Sequence, residues 1–166
     1  METSYKFKHI ENNLSKILGL IVSNQNVLKY LVYLDNKPLS HPDINEDLIG
    51  ANIQLQPFDE EILSQERCTL FLNPLEGNLI SEPMSNLNFT IDIVVPNKKW
   101  LLEGSGKIRV FRICDEIAQM IDNQLVAGIK PNRVTRFRIF KVGNDYSGIT
   151  LWITVNSSTM KGLRKD

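Results

Sequence analysis

The feature that most constrains how this chain folds is a strict alternation of side chains over residues 87–95. The apolar positions are Leu87, Phe89, Ile91, Ile93 and Val95, and the positions between them are Asn88, Thr90, Asp92 and Val94. Because side chains two residues apart lie on the same face of a strand, this pattern predicts a half-buried β-strand that ends at Pro96. The fold must therefore contain a sheet that buries one of its faces.

Two helices are predicted near the N-terminus. Apolar residues recur with helical spacing over residues 8–22 and would share one face of the first helix. These residues are Ile10, Leu14, Ile17 and Ile21. Ser23 interrupts the pattern, and Asn24 would cap a second, short helix that runs to Leu34.

A third helix is predicted from about Lys107 to Leu125. Its buried stripe consists of Ile113, Ile117, Met120 and Ile121. The preceding segment, Gly104-Ser-Gly-Lys107, resembles part of a phosphate-binding loop, but that motif's earlier glycine is missing and Ile108 replaces its Ser or Thr. We therefore interpret the segment as a turn that leads into the helix.

Further strands are predicted before and after these elements. A short strand over 67–72 would end at Asn73-Pro74, while 133–142 and 149–156 would form a hairpin. In this hairpin we expect Phe137 and Ile139 to join the core. The opposite face would present Arg136, Arg138, Phe140 and Trp152. Exposed aromatic residues among basic ones favour an interface over a plain solvent-facing surface.

Together these elements predict an α+β fold. An antiparallel sheet of about four strands would be flanked by an N-terminal helix pair and one core helix. With 166 residues the chain is long enough for one well-buried core and short for two, so we expect a single domain over 1–166. Residues 157–166 would form a flexible basic tail.

The connection over residues 35–64 is long, acidic and marked by prolines, and it shows little periodicity. Connections of this length in compact domains tend to be functional or to be ordered by a neighbour. We expect it to make few contacts with its own domain and to bridge to a partner. The acids that would make this contact are Asp43, Glu46, Asp47, Asp59, Glu60 and Glu61. Residues 59–61 by themselves indicate a solvated charge cluster before a metal site, since nothing nearby completes a set of metal ligands.

The chain offers no residue set for catalysis. Its two histidines, His9 and His41, have no second His or Cys at metal-ligand spacing. Cys68 and Cys114 lack CxxC spacing and lie among apolar neighbours, so we expect reduced, buried thiols. The sequence therefore predicts no catalytic, cofactor-binding or metal site, and no enzymatic activity.

Nothing in the sequence directs the chain to a membrane. No apolar run approaches the ~18 residues that a spanning helix needs. The first eight residues lack the apolar stretch of a signal peptide. We therefore expect the protein to be made and kept in the cytosol.

Opposite charges are segregated along the chain. Residues 1–96 contain 13 acidic and 6 basic residues, a net charge of −7, whereas residues 97–166 contain 6 acidic and 13 basic residues, a net charge of +7. This split suits a subunit that docks head to tail or faces DNA with one side. If the two halves interleave in the fold, their fields cancel instead. The residues expected at an interface or facing a DNA channel are Lys98, Lys99, Trp100, Arg133, Arg136, Arg138, Phe140 and Trp152.

The order of elements and several local strings carry a resemblance to a known group of proteins. The strings are KPLSHPDI (37–44), FTIDIVVP (89–96) followed by Trp100, LLEGSGKIRVFRICDEIAQMID (101–122) and SGITLWITV (147–155). With these patterns of hydrophobicity and turns, the chain resembles small neck and tail-terminator proteins of tailed bacteriophages. The similarity spans most of the chain but includes no invariant catalytic set.

This resemblance implies an α+β structural virion protein without enzymatic activity or cofactor, assembled in the host cytoplasm. It would form a homo-oligomeric ring, usually a hexamer, at the head–tail junction. Its partners would be other copies of itself and the adjoining neck, connector and tail-tube proteins. The long 35–64 connection and the basic extension after Asn156 depart from the group, so both the terminator and a neighbouring neck ring stay open.

The resemblance supplies two uses for the segregated charge. Acidic and basic patches on identical subunits would pair all the way round a ring. Alternatively, the basic residues would line the channel and make weak, sequence-independent contacts with DNA. A small nucleic-acid-binding domain that uses the basic C-terminal half is the alternative function.

Overall fold

The computed structural model describes residues 7–64, 66–77, 84–104 and 106–158. Within these residues the chain forms three α-helices and five strands. In chain order they are α1 (Lys8–Ser23), α2 (Gln25–Val32), β1 (Ile53–Gln54), β2 (Thr69–Gly77), β3 (Met84–Pro96), α3 (Arg109–Ile121), β4 (Arg133–Val142) and β5 (Tyr146–Ser158). Short 3-10 turns occur at Pro38–Ser40, Glu60–Ile62 and Asn97–Lys99.

The two N-terminal helices form where the sequence predicts them. Helix α1 buries Ile17 and Ile21 completely. Asn24 caps α2, because its side chain accepts a hydrogen bond of 3.1 Å from the backbone N–H of Val27. Helix α2 ends at Val32, two residues before the predicted end.

Helix α3 is shorter than predicted. The stripe of Ile113, Ile117 and Ile121 is fully buried, which confirms the predicted facing. The helix nevertheless ends at Ile121, because Asn123 adopts a left-handed backbone conformation with φ 59°. The N–H of Asn123 then bonds to the carbonyl of Asn132 at 2.9 Å and not to the helix.

The strands form one mixed sheet with the order β1-β2-β3-β5-β4. The predicted α+β class is confirmed, and the four longer strands pair antiparallel. The fifth strand, β1, comes from the aperiodic 35–64 connection and pairs in parallel with β2. Strand β2 passes through Pro74, its predicted end, with a register shift between Pro74 and Glu76. Proline is tolerated there because β1 leaves this part of β2 at the sheet edge.

The core lies between one face of the sheet and the helices. Alternate residues of β3, including Phe89 and Ile91, are fully buried, as the alternation predicts. The alternate residues Ile149, Leu151, Ile153 and Val155 of β5 are buried beside them. Phe137 and Ile139 on β4 were also predicted to join the core, but this prediction is wrong. The two side chains are 65% and 53% exposed. They point to the helix side, but β4 is the last strand and α3 packs mainly on β3 and β5.

The 35–64 connection packs closely on its own chain, so the expectation of few internal contacts is wrong. Its apolar residues Ile44, Leu48 and Ile53 belong to the core. Gln25 on α2 holds Ile44 with both ends of its amide: Oε1 accepts from the Ile44 N–H at 2.8 Å, and Nε2 donates to the Ile44 carbonyl at 3.0 Å. Asn52 is buried as well. Single apolar and amide side chains hold the connection, and such contacts leave no periodic pattern in a sequence.

A buried arginine joins α2, α3 and the turn after β3. The side chain of Arg109 is fully buried, and its Nε donates to the carbonyl of Lys99 at 2.9 Å. Its Nη1 donates to the carbonyls of Tyr30 at 3.0 Å and Tyr33 at 2.8 Å, and its Nη2 donates to the carbonyl of Asp35. Loss of hydration lowers the pKa of Arg109 from its usual value. This network fixes the start of α3 against the end of α2.

The predicted basic tail is only partly described. The backbone of residues 157 and 158 continues β5 and pairs with the start of β3. Residues 159–166, which carry the basic side chains of the predicted tail, lie outside the described residues.

Candidate functional site

Strand β4 is the most exposed strand of the sheet. It forms the end of the strand order, and within the described chain only β5 pairs with it. Seven of its ten residues are exposed; the other three are Val134, Phe140 and Val142. A long exposed edge strand offers unpaired backbone N–H and C=O groups to another chain. The two faces of β4 differ in chemistry.

The face of β4 that points away from the helices is basic and aromatic. We call the set Arg136, Arg138, Phe140 and Trp152 the basic–aromatic face. The guanidinium carbon of Arg136 lies 4.2 Å from the ring centroid of Trp152, directly across the β4–β5 pair. This distance is typical of a cation–π contact. Both arginines are exposed, whereas Phe140 and Trp152 are half-buried.

Phe58 of the 35–64 connection lies over this face. Its ring packs edge-on against Phe71 of β2, with centroids 5.3 Å apart, and against Phe140 of β4, with centroids 5.7 Å apart. The connection therefore crosses the sheet from β2 towards β4. Beside Phe58 lies a shallow opening of about 360 Å³, whose lining includes Thr90, Asp92, Arg138, Thr150 and Trp152.

Asp92 is a half-buried carboxylate in this opening. The Thr150 hydroxyl donates a hydrogen bond to it across the β3–β5 pair. Burial raises the pKa of Asp92 above its usual value, and the bond from Thr150 partly offsets that effect. No ion pair to Asp92 forms within the described part of the chain.

The helix-side face of β4 is apolar at Val134, Phe137 and Ile139, and Lys141 follows on the same side. Between α3 and β4 lies an opening of about 390 Å³, which we call the α3–β4 groove. Its lining includes Phe111, Cys114, Ala118, Phe137 and Leu151. Phe111 is 38% exposed. Burial raises the pKa of the Cys114 thiol to about 12, so this sulfur remains protonated at neutral pH.

Both cysteines are free in this structure, as the sequence predicts. Cys68 is buried and Cys114 is partly buried. Burial also raises the pKa of Cys68 to about 12. Neither thiol has the depressed pKa of a reactive nucleophile.

The other basic candidates are spread along the edge. Arg133 begins β4 and is exposed. Lys98 is exposed. It lies near the opposite end of β4, because its neighbour Asn97 forms hydrogen bonds with Asn144 and Asp145 in the β4–β5 turn. In contrast, Lys99 and Trp100 are partly covered, and Trp100 packs against the core. The candidates therefore form an extended strip and not one compact site.

The six acidic candidates fall into two separate groups. The first group, Asp43, Glu46 and Asp47, lies beside α1 and α2, and Asp43 pairs with Lys29 of its own chain at 2.8 Å. The second group, Asp59, Glu60 and Glu61, lies past the crossing point at Phe58. There, the Glu60 carboxylate comes close to Gly143 in the β4–β5 turn. The structure therefore does not bring the six acids together as one bridging surface.

Two features of the site were missed at the sequence level. Phe58 follows Pro57 in an aperiodic segment, so nothing predicted that it would lie over the sheet. The exposure of Phe137 and Ile139 was also missed, because the alternation of β4 resembles that of a covered strand. Only the order of the strands in the sheet would have indicated that these two side chains are exposed.

A comparison with known protein families assigns the chain to one of them. The model of the YomW family matches residues 24–155, from the cap of α2 to the last core residue of β5. The chain belongs to the YomW family. Membership of the YomW family indicates a phage-associated protein, which agrees with the broader part of the resemblance seen in the sequence. No curated protein matches this YomW-family chain.

Two further observations bear on the chemistry of this YomW-family protein. Within residues 7–64, 66–77, 84–104 and 106–158, no group of three or more His, Cys, Asp or Glu side chains is placed to hold a metal ion. In the same parts of the chain, no helix has the length and apolarity needed to cross a membrane.

Proposed function

We propose that this YomW-family protein is a structural virion protein that forms a homo-oligomeric ring at the head–tail junction, of the tail-terminator or neck type. The ring would join the tail to the connector and surround the DNA channel, without catalysis. The observation that carries the proposal is strand β4, an exposed sheet edge that presents Phe137 and Ile139 on one face and Arg136 and Arg138 on the other.

An exposed strand edge of this kind is more typical of a subunit in an oligomer than of a monomeric protein. Long exposed edge strands with apolar side chains promote association unless a partner covers them. Phe137, Ile139 and Phe111 are all exposed beside the α3–β4 groove. A subunit of a ring would bury these side chains against its neighbour.

The segregated charge supports the same arrangement. Rings of identical subunits use heterologous contacts, in which one surface meets a different surface of the next copy. All four charged residues of β4, Arg133, Arg136, Arg138 and Lys141, are basic. A contact surface of one sign then needs an acidic counterpart on the same chain, and residues 1–96 carry a net charge of −7.

A nucleic-acid-binding domain is the second candidate, supported by the arginines and aromatics of β4 and β5. Its weakness is that sequence-tolerant binding to single strands needs free aromatic faces on which bases stack. Arg136 occupies one face of the Trp152 ring, and Phe58 packs against Phe140. Weak contacts of basic side chains with the phosphates of duplex DNA in a channel stay compatible with the ring.

Native mass spectrometry, sedimentation and negative-stain imaging of the purified protein test the proposal. We expect closed rings with one copy number, and labelling at the head–tail junction when particles are stained with antibodies to this chain. Binding of duplex DNA is measured in parallel at two salt concentrations. A monomer whose DNA affinity falls steeply with salt would overturn the ring and favour the second candidate.

A further inference from the structure

The two edges of the sheet carry complementary surfaces. We propose that the β4 edge of one copy docks on the β1–β2 edge of the next copy, so that unlike edges form the subunit contact. This inference rests on the proposed ring and names the surfaces that build it. The occupant of the exposed β4 edge is thus a second copy of this chain.

Large apolar side chains are exposed at the β4 edge. Phe137 and Ile139 expose 65% and 53% of their surfaces, and Phe111 of α3 adds a further exposed ring beside them. We call this set, together with Arg136 and Arg138, the basic edge. It combines an apolar strip with a positive rim, as interfaces with an apolar centre and a polar rim do.

Repulsion between basic residues disfavours pairing of β4 with β4 of another copy. An antiparallel pair of identical strands centred on Phe137 would place Arg136 of one copy opposite Arg138 of the other. Like charges directly opposite each other destabilise a sheet, and β4 has no acidic residue to relieve them. The partner of the basic edge therefore has to be a different surface.

Such a surface lies at the other end of the strand order. Strand β1 covers only Leu70 and Phe71 of β2, which leaves the distal part of β2 at an edge. Leu75, on this distal part of β2, is 50% exposed and also lines the opening beside Phe58. Ile49 and Leu55, on either side of β1, are each 43% exposed. Ile49 lies on the outer side of β1, where it bridges to Ile53.

Acidic residues accompany these apolar side chains. Glu46 and Asp47 precede Ile49, separated from it by the buried Leu48, and Glu76 follows Leu75; all three acids are exposed. We call Glu46, Asp47, Ile49, Leu55, Leu75 and Glu76 the acidic edge. Its apolar centre and negative rim match the basic edge in character and oppose it in charge, which favours docking between copies.

The positions of the two edges in the sheet allow the same contact to repeat from copy to copy. With strands spaced by about 4.8 Å, the two edges of five strands lie roughly 19 Å apart on opposite sides of the subunit. A contact between two different edges repeats from copy to copy and closes into a ring when the rotation allows. Pro74 and the register shift beside it interrupt the backbone edge of β2. The contact is therefore made by side chains and not by a continuous strand ladder.

Charge reversal with rescue tests the contact. One variant carries Arg136→Glu and Arg138→Glu, and a second carries Glu46→Lys, Asp47→Lys and Glu76→Lys. We expect each variant to shift the ring mass to the single-subunit mass at physiological salt. A chain that carries all five changes has both edges reversed, so it should form rings again. The control, Lys16→Glu with Lys107→Glu, changes two exposed cations away from both edges and should leave rings intact.

A cross-link provides a second measurement that tolerates partial loss of assembly. A chain with Ile139→Cys and Leu55→Cys should give a ladder of disulfide-linked oligomers under mild oxidation. A chain with Ile139→Cys and Leu101→Cys, where Leu101 is also exposed at 66%, should not. Far-ultraviolet circular dichroism and urea unfolding of every variant separate loss of contact from loss of folding.

The outcomes distinguish this inference from the proposed function. If the unmodified protein forms no ring, the proposed function is overturned and this contact with it. If rings form and survive both charge-reversed variants, the edge-to-edge contact is wrong while the ring stands. If both variants dissociate and the five-change chain does not reassemble, the pairing of these two edges is also wrong.

Discussion

The guanidinium of Arg109, at the first residue of α3, donates a hydrogen bond of 2.8 Å to the carbonyl oxygen of Tyr33 just after α2. The carbonyls at the end of a helix carry partial negative charge, so a buried cation is stabilised there. Within the described residues Arg109 makes no ion pair, and backbone carbonyls are its hydrogen-bond acceptors. Arg109 therefore joins two helices that lie far apart in the sequence.

Replacing this arginine should be costly. In Arg109→Met, four carbonyl oxygens lose their buried donor, and we expect the free energy of unfolding to fall by at least about 3 kcal/mol. Urea unfolding followed by circular dichroism measures the change. Arg112→Met is the matched control, because Arg112 is exposed and its ion pair with Asp115, at 3.5 Å, lies on the surface. Equal midpoints for both variants would contradict the role of Arg109.

Gly128 should be intolerant of any side chain. Its φ is +75°, and a Cβ atom would collide with the backbone carbonyl of Asn156 on β5. We expect Gly128→Ala to lower the free energy of unfolding by about 2–5 kcal/mol, from backbone strain and steric overlap together. Gly50→Ala is the control, because Gly50 has φ +80° but open space around it, and it should cost only about 1–2 kcal/mol. A similar loss at both positions would show that strain alone matters.

Asp92 should make stability fall as pH rises. Its pKa is raised in the folded state by burial, so its contribution to stability is fully present below the unfolded value of about 4 and is lost as pH rises through the folded pKa. Asp92→Asn can still accept the hydrogen bond from Thr150 but carries no charge. We expect this variant to gain stability relative to the unmodified protein from pH 4 upwards, with the gain levelling off above the folded pKa. Urea midpoints at four pH values measure it, and a difference independent of pH would refute it.

Gln25 should control the order of the 35–64 connection. Its amide holds both backbone groups of Ile44, so Gln25→Ala should speed hydrogen exchange around Ile44 and Leu48 without unfolding the helices. Asn26→Ala is the control, since Asn26 is exposed and its side chain donates to the Glu116 carboxylate at the surface, away from Ile44. Exchange rates unchanged at Ile44 would mean that apolar packing alone holds the connection.

Local patterns in the sequence were sufficient to predict most of the elements. The alternation around Phe89 predicted β3, the cap at Asn24 predicted the start of α2, and the predicted first hairpin strand has the observed bounds of β4. These features depend on the period of one helix or strand and on the chemistry of its ends. Such periods and caps involve residues close in the chain, so a single sequence contains them.

The tertiary structure alone decided which surfaces are left uncovered. The pattern of β4 resembles that of a buried strand, yet Phe137 is exposed because the strand order puts β4 last and α3 over β3 and β5. The 35–64 connection, predicted to reach outwards, is held by Gln25 and Asn52, which are distant in sequence from most of what they bind. The opposition of the acidic and basic edges likewise depends on the strand order. Whether a surface is covered depends on contacts between segments that are distant in the sequence. Such contacts produce no local sequence pattern from which they could be predicted.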